Sequence, residues 1–71
     1  MSAGVIQLTH NSAIVLGYQA SFSTTLQPGD FVVSVVGGIA YTLPVKSIES
    51  NDSLTLVSAF TGPTANNLAW D

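Results

Sequence analysis

The stretch that decides the fold is FVVSVVGGIAYTLPV, residues 31–45. Residues 31–36 are apolar on both faces of a pleat, as in a strand that is buried on both sides or lies at the centre of a small barrel. Gly37 and Gly38 supply a chain reversal, because glycine readily adopts the positive φ angles of a tight hairpin turn. The side chains of residues 39–45 then alternate between two faces, as in a strand that runs antiparallel to the first. The stretch therefore predicts a β-hairpin.

The strongest turn signal comes just before this hairpin, at Pro28, Gly29 and Asp30. Proline presets φ at the first central position of a turn, and glycine tolerates a positive φ at the second, so we expect a type II turn. Nearer the N-terminus, Asn11 is expected to supply a positive φ in a tight hairpin loop. Gly17 is expected to end the strand that follows.

Short apolar runs bounded by turn residues continue along the rest of the chain. They predict strands at residues 5–9, 13–16, 54–57 and 66–70, and an irregular segment or short strand around Phe22, whose ring plugs the core. Pro44 predicts an edge or a bend. This pattern favours an all-β fold with five to seven short, mainly antiparallel strands, arranged as a small barrel or a two-sheet sandwich. Alternation predicts that most of the core comes from Phe31, Val33, Val35, Tyr41, Leu43, Leu54 and Leu56.

The length allows one small domain, residues 1–71, because single domains usually need 50 to 200 residues. The chain has no cysteine for a disulfide and one histidine for a metal, so the usual reinforcements of a small domain are missing. We therefore expect a partner chain or a longer parent protein, with Asp71 followed by further sequence.

Charge excludes further classes of function. Only five residues are charged, and the formal net charge is -3 with no arginine. Nucleic-acid binding depends on lysine and arginine neutralising phosphates, so no nucleic-acid partner is expected. The longest nearly apolar run, residues 31–41, is too short for a membrane span, and no basic segment precedes an apolar one at the N-terminus. We expect neither membrane insertion nor secretion, and synthesis in the cytoplasm.

The residues give little reason to expect catalysis. Sixteen serines and threonines share one histidine, His10, which falls in a predicted hairpin loop. The carboxylates of Asp30, Glu49 and Asp52 fall in or beside turns, where such side chains commonly bond neighbouring backbone amides. We predict no enzymatic activity, no metal site and no cofactor.

Exposed aromatic side chains are the remaining candidates for recognition, because they stack on sugar rings or anchor protein partners. The candidates are Tyr18, Tyr41, Phe60 and Trp70. For each of them core packing is the simpler interpretation. Trp70 is the most suggestive of the four, since so large a ring is hard to bury in so small a core.

Several of these segments together resemble a known family. They are VIQLT at residues 5–9, SAIV at 12–15, LQPGDF at 26–31, YTLPV at 41–45, SLTL at 53–56 and AFTGPT at 59–64. Over nearly the whole chain, the sequence resembles the small β domain at the N-terminus of tail-fibre proteins of lambda-like bacteriophages and prophages. It departs from that family in the first hairpin, where His10-Asn11 stands in place of Asn-Gly.

The resemblance implies a structural role in which the domain helps attach the fibre to the tail or organise its assembly for host adsorption. It implies other phage tail proteins as partners, a homotrimer in the full-length protein, and a place in the virion after synthesis in the host bacterial cytoplasm. On this reading the aromatic residues near the C-terminal end, Trp70 above all, lie at the contact between chains. The alternative is a carbohydrate-binding module whose exposed aromatics contact a bacterial surface glycan. A hydrolase of that glycan would need two carboxylates in one cleft, which the turn positions do not favour.

Overall fold

The computed structural model describes residues 3–71, and Met1 and Ser2 lie outside the described residues. All strand pairs are antiparallel, and the strand order is β3-β4-β5-β2-β1-β6. The predicted all-β fold is confirmed. The elements in chain order are β1 (Val5–Leu8), β2 (Ile14–Tyr18), α1 (Phe22–Thr25), β3 (Phe31–Val36), β4 (Ile39–Ser50), β5 (Ser53–Leu56) and β6 (Ala65–Leu68).

The two ends of this sheet meet, so the architecture is a nearly closed barrel. Ser34 of β3 forms an antiparallel bridge with Trp70, just after β6. The backbone N–H of Val33 donates to the carbonyl of Asp71, and the N–H of Asp71 donates to the carbonyl of Val33, both at 2.9 Å. We call this junction between β3 and the segment after β6 the seam. Of the two predicted architectures, the structure has the barrel.

The turns explain why the strands reverse where they do. Asp30 N–H donates to the Gln27 carbonyl at 3.0 Å, and Gly29 has a φ of 97°, as the predicted type II turn requires. Gly37 and Gly38 have φ angles of 59° and 84° and form the predicted reversal between β3 and β4. Asn11 has the expected positive φ of 64° in the loop after β1.

Gly17 does not end a strand, as the sequence had suggested, but lies inside β2 opposite Ile6. A Cβ atom at Gly17 would come within 2.7 Å of the Cβ of Ala20 and 2.9 Å of the Phe22 ring. Glycine therefore occurs here because Phe22 packs against the strand. Phe22 fills the core as predicted, but it does so from a single turn of helix and not from a strand.

Strand β4 is longer than predicted and pairs with two different strands along its length. It pairs with β3 as far as Pro44 and with β5 from Val45 onward. The Pro44 carbonyl accepts a hydrogen bond from the N–H of Val57, just after β5, at 2.9 Å. Proline has no backbone N–H to donate. It is accommodated here because its nitrogen faces the end of β5, where no strand residue requires a donor. Pro44 thus marks a change of partner within β4 and not its end.

The predicted core is half right, and the error lies in β3. Leu43, Leu54 and Leu56 are buried as expected, and Tyr41 is half-buried. Phe31, Val33 and Val35, which were predicted to be buried, are 57%, 39% and 59% exposed. The buried apolar residues are Ile6, Leu8, Val15, Ala20, Phe22, Val32, Val36, Leu43, Val45, Leu54, Leu56, Phe60 and Trp70.

Strand β3 points Val32, Ser34 and Val36 inward, and the inward serine has a hydrogen-bond partner there. The Ser34 hydroxyl donates to the carbonyl of Ala69 at 2.8 Å, across the seam. A buried hydroxyl that is hydrogen-bonded does not carry the full cost of desolvation. Of the two interpretations of this strand, burial on both sides is wrong, because one face of it is exposed on the outside of the barrel.

Trp70 packs at the centre of the core with 2% of its surface exposed. Its ring meets the Phe22 ring edge to face, with centroids 5.3 Å apart. Its indole Nε1–H donates to the backbone carbonyl of Ala3 at 2.9 Å, which satisfies the one polar atom of the side chain. Trp70 therefore joins the two ends of the chain to the helical turn.

Replacing Gly29 with valine should destabilise the domain by about 1 to 3 kcal/mol, because a β-branched residue is strained at a φ of 97°. A Cβ atom there would have no neighbour within 4 Å, so backbone strain is the only cost. Chemical denaturation measures the change. Gly29→Asn is the control, because asparagine tolerates positive φ better and should lose less stability. Equal stabilities of the valine variant and the wild type would contradict the turn assignment.

Trp70→Ala should destabilise the domain by about 3 to 5 kcal/mol, the usual loss for removing a buried tryptophan or phenylalanine side chain. Urea unfolding followed by far-ultraviolet circular dichroism measures it. Tyr18→Ala removes an exposed ring and should change stability by about 0.5 kcal/mol or less. If the two variants unfolded at the same urea concentration, Trp70 would not be the core residue described here.

Candidate functional site

The four aromatic candidates lie in different environments. Phe60 and Trp70 are 1% and 2% exposed, so both pack in the core, which was the simpler interpretation of each. Tyr41 is half-buried and packs edge to face on Phe60, with ring centroids 4.9 Å apart. Tyr18, at the end of β2, is 68% exposed. Tyr18 is the one aromatic of the four that is free to stack on a ligand.

His10 connects two loops. Its ring Nδ1 lies 2.9 Å from the carbonyl oxygen of Gly62, and because a carbonyl can only accept, Nδ1 carries the hydrogen. Its backbone N–H donates to the Thr64 hydroxyl at 3.0 Å. His10 therefore holds the loop after β1 against the loop before β6.

The aspartates accept hydrogen bonds from the backbone. Asp30 accepts from the N–H of Gln27 at 3.0 Å within the type II turn. The side chain of Asp52 lies 3.5 Å from the N–H of Ala20, next to the helical turn. Among residues 3–71, no three histidine, cysteine, aspartate or glutamate side chains form a group that could hold a metal ion.

Glu49 is fully exposed and accepts hydrogen bonds from the hydroxyls of Ser47 and Thr55. These bonds, from Ser47 first and then Thr55, lower the pKa of the Glu49 carboxyl. A general acid needs the opposite shift, since it must hold a proton near neutral pH. Glu49 is therefore suited to remain ionised. The absence of enzymatic activity stays a prediction.

A shallow groove of about 240 Å³ lies on the outer surface where β1 runs between β2 and β6. We call it the amide groove, because three of its side chains are primary amides and none is charged. Its lining residues are Val5, Ile6, Gln7, Leu16, Gly17, Tyr18, Asn66 and Asn67.

A β-bulge brings the three amides together. Ile6 pairs with Leu68 and Leu8 pairs with Ala65, so Asn66 and Asn67 together lie opposite the single residue Gln7. Asn67 takes up the extra residue with a φ of 53°. Bulges of this kind redirect side chains and are common beside binding sites. Within residues 3–71, the amide side chains of Gln7, Asn66 and Asn67 make no hydrogen bond.

Sequence reasoning found only Tyr18 in this groove. The missed signal is the pair Asn66-Asn67 inside a predicted strand. Asparagine is disfavoured in regular strands and tolerates positive φ, so two in succession indicate an irregular pairing.

The second notable surface is the outer face of β3, which we call the β3 face and define as Phe31, Val33 and Val35. Their partners on β4 are Pro44, Thr42 and Ala40 respectively, so none of these six side chains is charged. A second shallow depression of about 290 Å³ runs along the seam beside Val33 and Val35. The other residues that line this depression are Ser34, Ala69, Trp70 and Asp71, so an acidic residue borders the apolar β3 face at the seam.

The only helix among residues 3–71 has four residues, far fewer than a helical membrane crossing requires.

A scan against protein-family models, a search of curated proteins and a search of solved structures each found no match. The function of the domain is therefore inferred from the β3 face and the amide groove.

Proposed function

We propose that the domain is a structural module of a bacteriophage tail fibre, where it helps attach the fibre to the tail or organise its assembly for host adsorption. The observation that carries the proposal is the exposed apolar β3 face. The resemblance of the chain to the N-terminal β domain of tail-fibre proteins supports it. On this proposal the domain resides in the virion and contacts other phage tail proteins.

The β3 face is unusual for a strand that faces solvent. The exposed side of an antiparallel strand normally carries polar residues in alternation with the buried ones. Here it carries one phenylalanine and two valines, which are 57%, 39% and 59% exposed. Contiguous exposed apolar surface commonly marks a protein contact. A partner that covers this face would gain hydrophobic stabilisation that the isolated domain lacks.

A second copy of this chain is the occupant that the charge distribution favours. The chain has a net charge of -3, so copies repel one another wherever their carboxylates approach. The β3 face and its β4 partners contain no ionisable side chain. Two or three copies can therefore meet through these six uncharged side chains, as a homotrimer requires, with Asp30 and Asp71 at the margin of the contact.

The size of the face indicates that the contact is weak in the isolated domain. A stable interface covers about 800 Å² of each partner, which is about a fifth of the 3976 Å² surface of this chain. Three side chains and their neighbours fall short of that area. A stable trimer needs further contacts from the rest of the fibre, and the β3 face then aligns the three copies.

Phe31→Ser should weaken self-association by roughly 30-fold, as expected when an interface loses an aromatic anchor worth about 2 kcal/mol. Sedimentation equilibrium of the isolated domain at high concentration measures this. Tyr18→Ser also removes an exposed aromatic ring, but from another surface, and should associate as the wild type does.

The same pair of substitutions applies to the full-length protein, which should sediment as a trimer. A monomeric full-length protein would refute the fibre proposal. A trimer that Phe31→Ser leaves unchanged in both proteins would refute the role of the β3 face.

The second candidate function is binding of a bacterial surface glycan. It was first suggested by four aromatic residues, of which only Tyr18 is well exposed. The amide groove beside Tyr18 is the specific observation that supports it.

A further inference from the structure

The amide groove has the chemistry of a site for an uncharged polyhydroxylated ligand. A primary amide both donates and accepts hydrogen bonds, as a sugar hydroxyl does. Gln7, Asn66 and Asn67 provide three such groups, and none of them bonds to another group within residues 3–71. Anionic ligands are recognised mainly by arginine and lysine. The single lysine, Lys46, does not line the groove, so a charged sugar has no counter-ion there.

Tyr18 supplies the apolar part of such a site. Its ring is 68% exposed, and its neighbour across the sheet is Val5. Leu16, which is 46% exposed, extends the apolar surface along β2. A pyranose ring presents a face of C–H groups and a rim of hydroxyls, so stacking on Tyr18 leaves its rim free for amides.

The size of the groove suits a single ring. The groove holds about 240 Å³, below the 300 to 1,000 Å³ typical of sites for drug-sized molecules. The groove is also shallow, so the ring can remain part of a longer chain whose other residues stay in solvent.

The backbone of the site is built on strands and not on a loop. Gln7 lies within β1, and Asn66 and Asn67 lie within β6. Asn67 is held at a φ of 53° by the pairing on either side of the bulge, at Ala65 and Leu68. The backbone positions of the three amides are therefore fixed before a ligand binds, and binding orders only their side chains.

We infer that the amide groove binds one uncharged pyranose residue of a glycan, stacked on Tyr18 and hydrogen-bonded by Gln7, Asn66 and Asn67. The inference deepens the carbohydrate-binding candidate, and it does not depend on the β3 face. One ring in an open groove should bind with a Kd on the order of millimolar. Three copies in a fibre would raise the effective affinity through multivalency.

Nuclear magnetic resonance titration of the isolated domain tests the inference. The probes are the methyl glycosides of glucose, galactose, mannose and N-acetylglucosamine, with glucuronic acid, N-acetylneuraminic acid and glucose 6-phosphate as charged counterparts. At least one neutral probe should cause saturable shifts at residues 5–7, 16–18 and 66–67. No saturable shift with any probe up to about 100 mM would overturn the inference. Tighter binding of the charged probes, or shifts confined to other residues, would overturn it as well.

Two groove variants and one control make the test specific. Tyr18→Ala removes the stacking ring. Asn67→Gly removes an amide while keeping the positive φ, which glycine adopts freely. Each should weaken binding at least tenfold, and a change smaller than twofold in both would overturn the inference. Phe31→Ser removes an exposed ring outside the groove and should bind as the wild type does.

The same three variants separate this inference from the proposed fibre role. Phe31→Ser should lose self-association and keep sugar binding, whereas the groove variants should do the reverse. Failure of the sugar titration with intact self-association refutes the groove site alone. Failure of self-association with intact titration refutes the β3 face alone.

Discussion

The seam between β3 and Trp70-Asp71 is the constraint on which the rest of the structure depends. Two backbone hydrogen bonds join Val33 to Asp71 there, and the hydroxyl of Ser34 bonds to the carbonyl of Ala69. Because side chains alternate along a strand, turning Ser34 inward also turns Val32 and Val36 inward. The same alternation leaves the β3 face in solvent. The closure of the barrel and the exposure of the β3 face therefore both follow from the orientation of β3 that places Ser34 inside.

The sequence predicted the parts of the fold that single residues control. Proline and glycine determine the turn at residues 27–30, two glycines determine the reversal after β3, and Leu54 and Leu56 alternate with polar neighbours in β5. Which face of β3 is buried could not be predicted, because both sets of alternating side chains in this strand are largely apolar. Only the contact of β3 with a distant segment of the chain distinguishes the two faces. The burial of Trp70 depends on the same distant contact. The amide groove could not be predicted, because it depends on a bulge in the pairing of β1 with β6. The sequence of either strand alone does not show how the two strands pair.

On the side of β4 and β5, polar residues lie between the β3 face and the amide groove. Between β3 and β2 lie β4 and β5, whose outer surface carries Ser47, Glu49 and Thr55 in a hydrogen-bonded cluster. Thr55 pairs with Ser47 on one side and with Ile14 of β2 on the other. The hydroxyls favour the ionised form of Glu49, so this position resists burial against an apolar partner. The β3 face is thereby bounded on this side, and a contact made through it has a defined edge.

On the two proposals, a contact between copies through the β3 face and a ligand site in the amide groove would share one small barrel. The β3 face uses β3 with β4, whereas the amide groove uses β1, β2 and β6. The two surfaces also have different chemistry. Valine and phenylalanine are stabilised when a partner excludes water from them, whereas primary amides exchange hydrogen bonds with water for hydrogen bonds with ligand hydroxyls. Assembly through the first surface would repeat the second in each copy. Repetition would matter if each groove binds one ring, because several weak sites joined in one assembly hold a repetitive ligand far longer than any single site does.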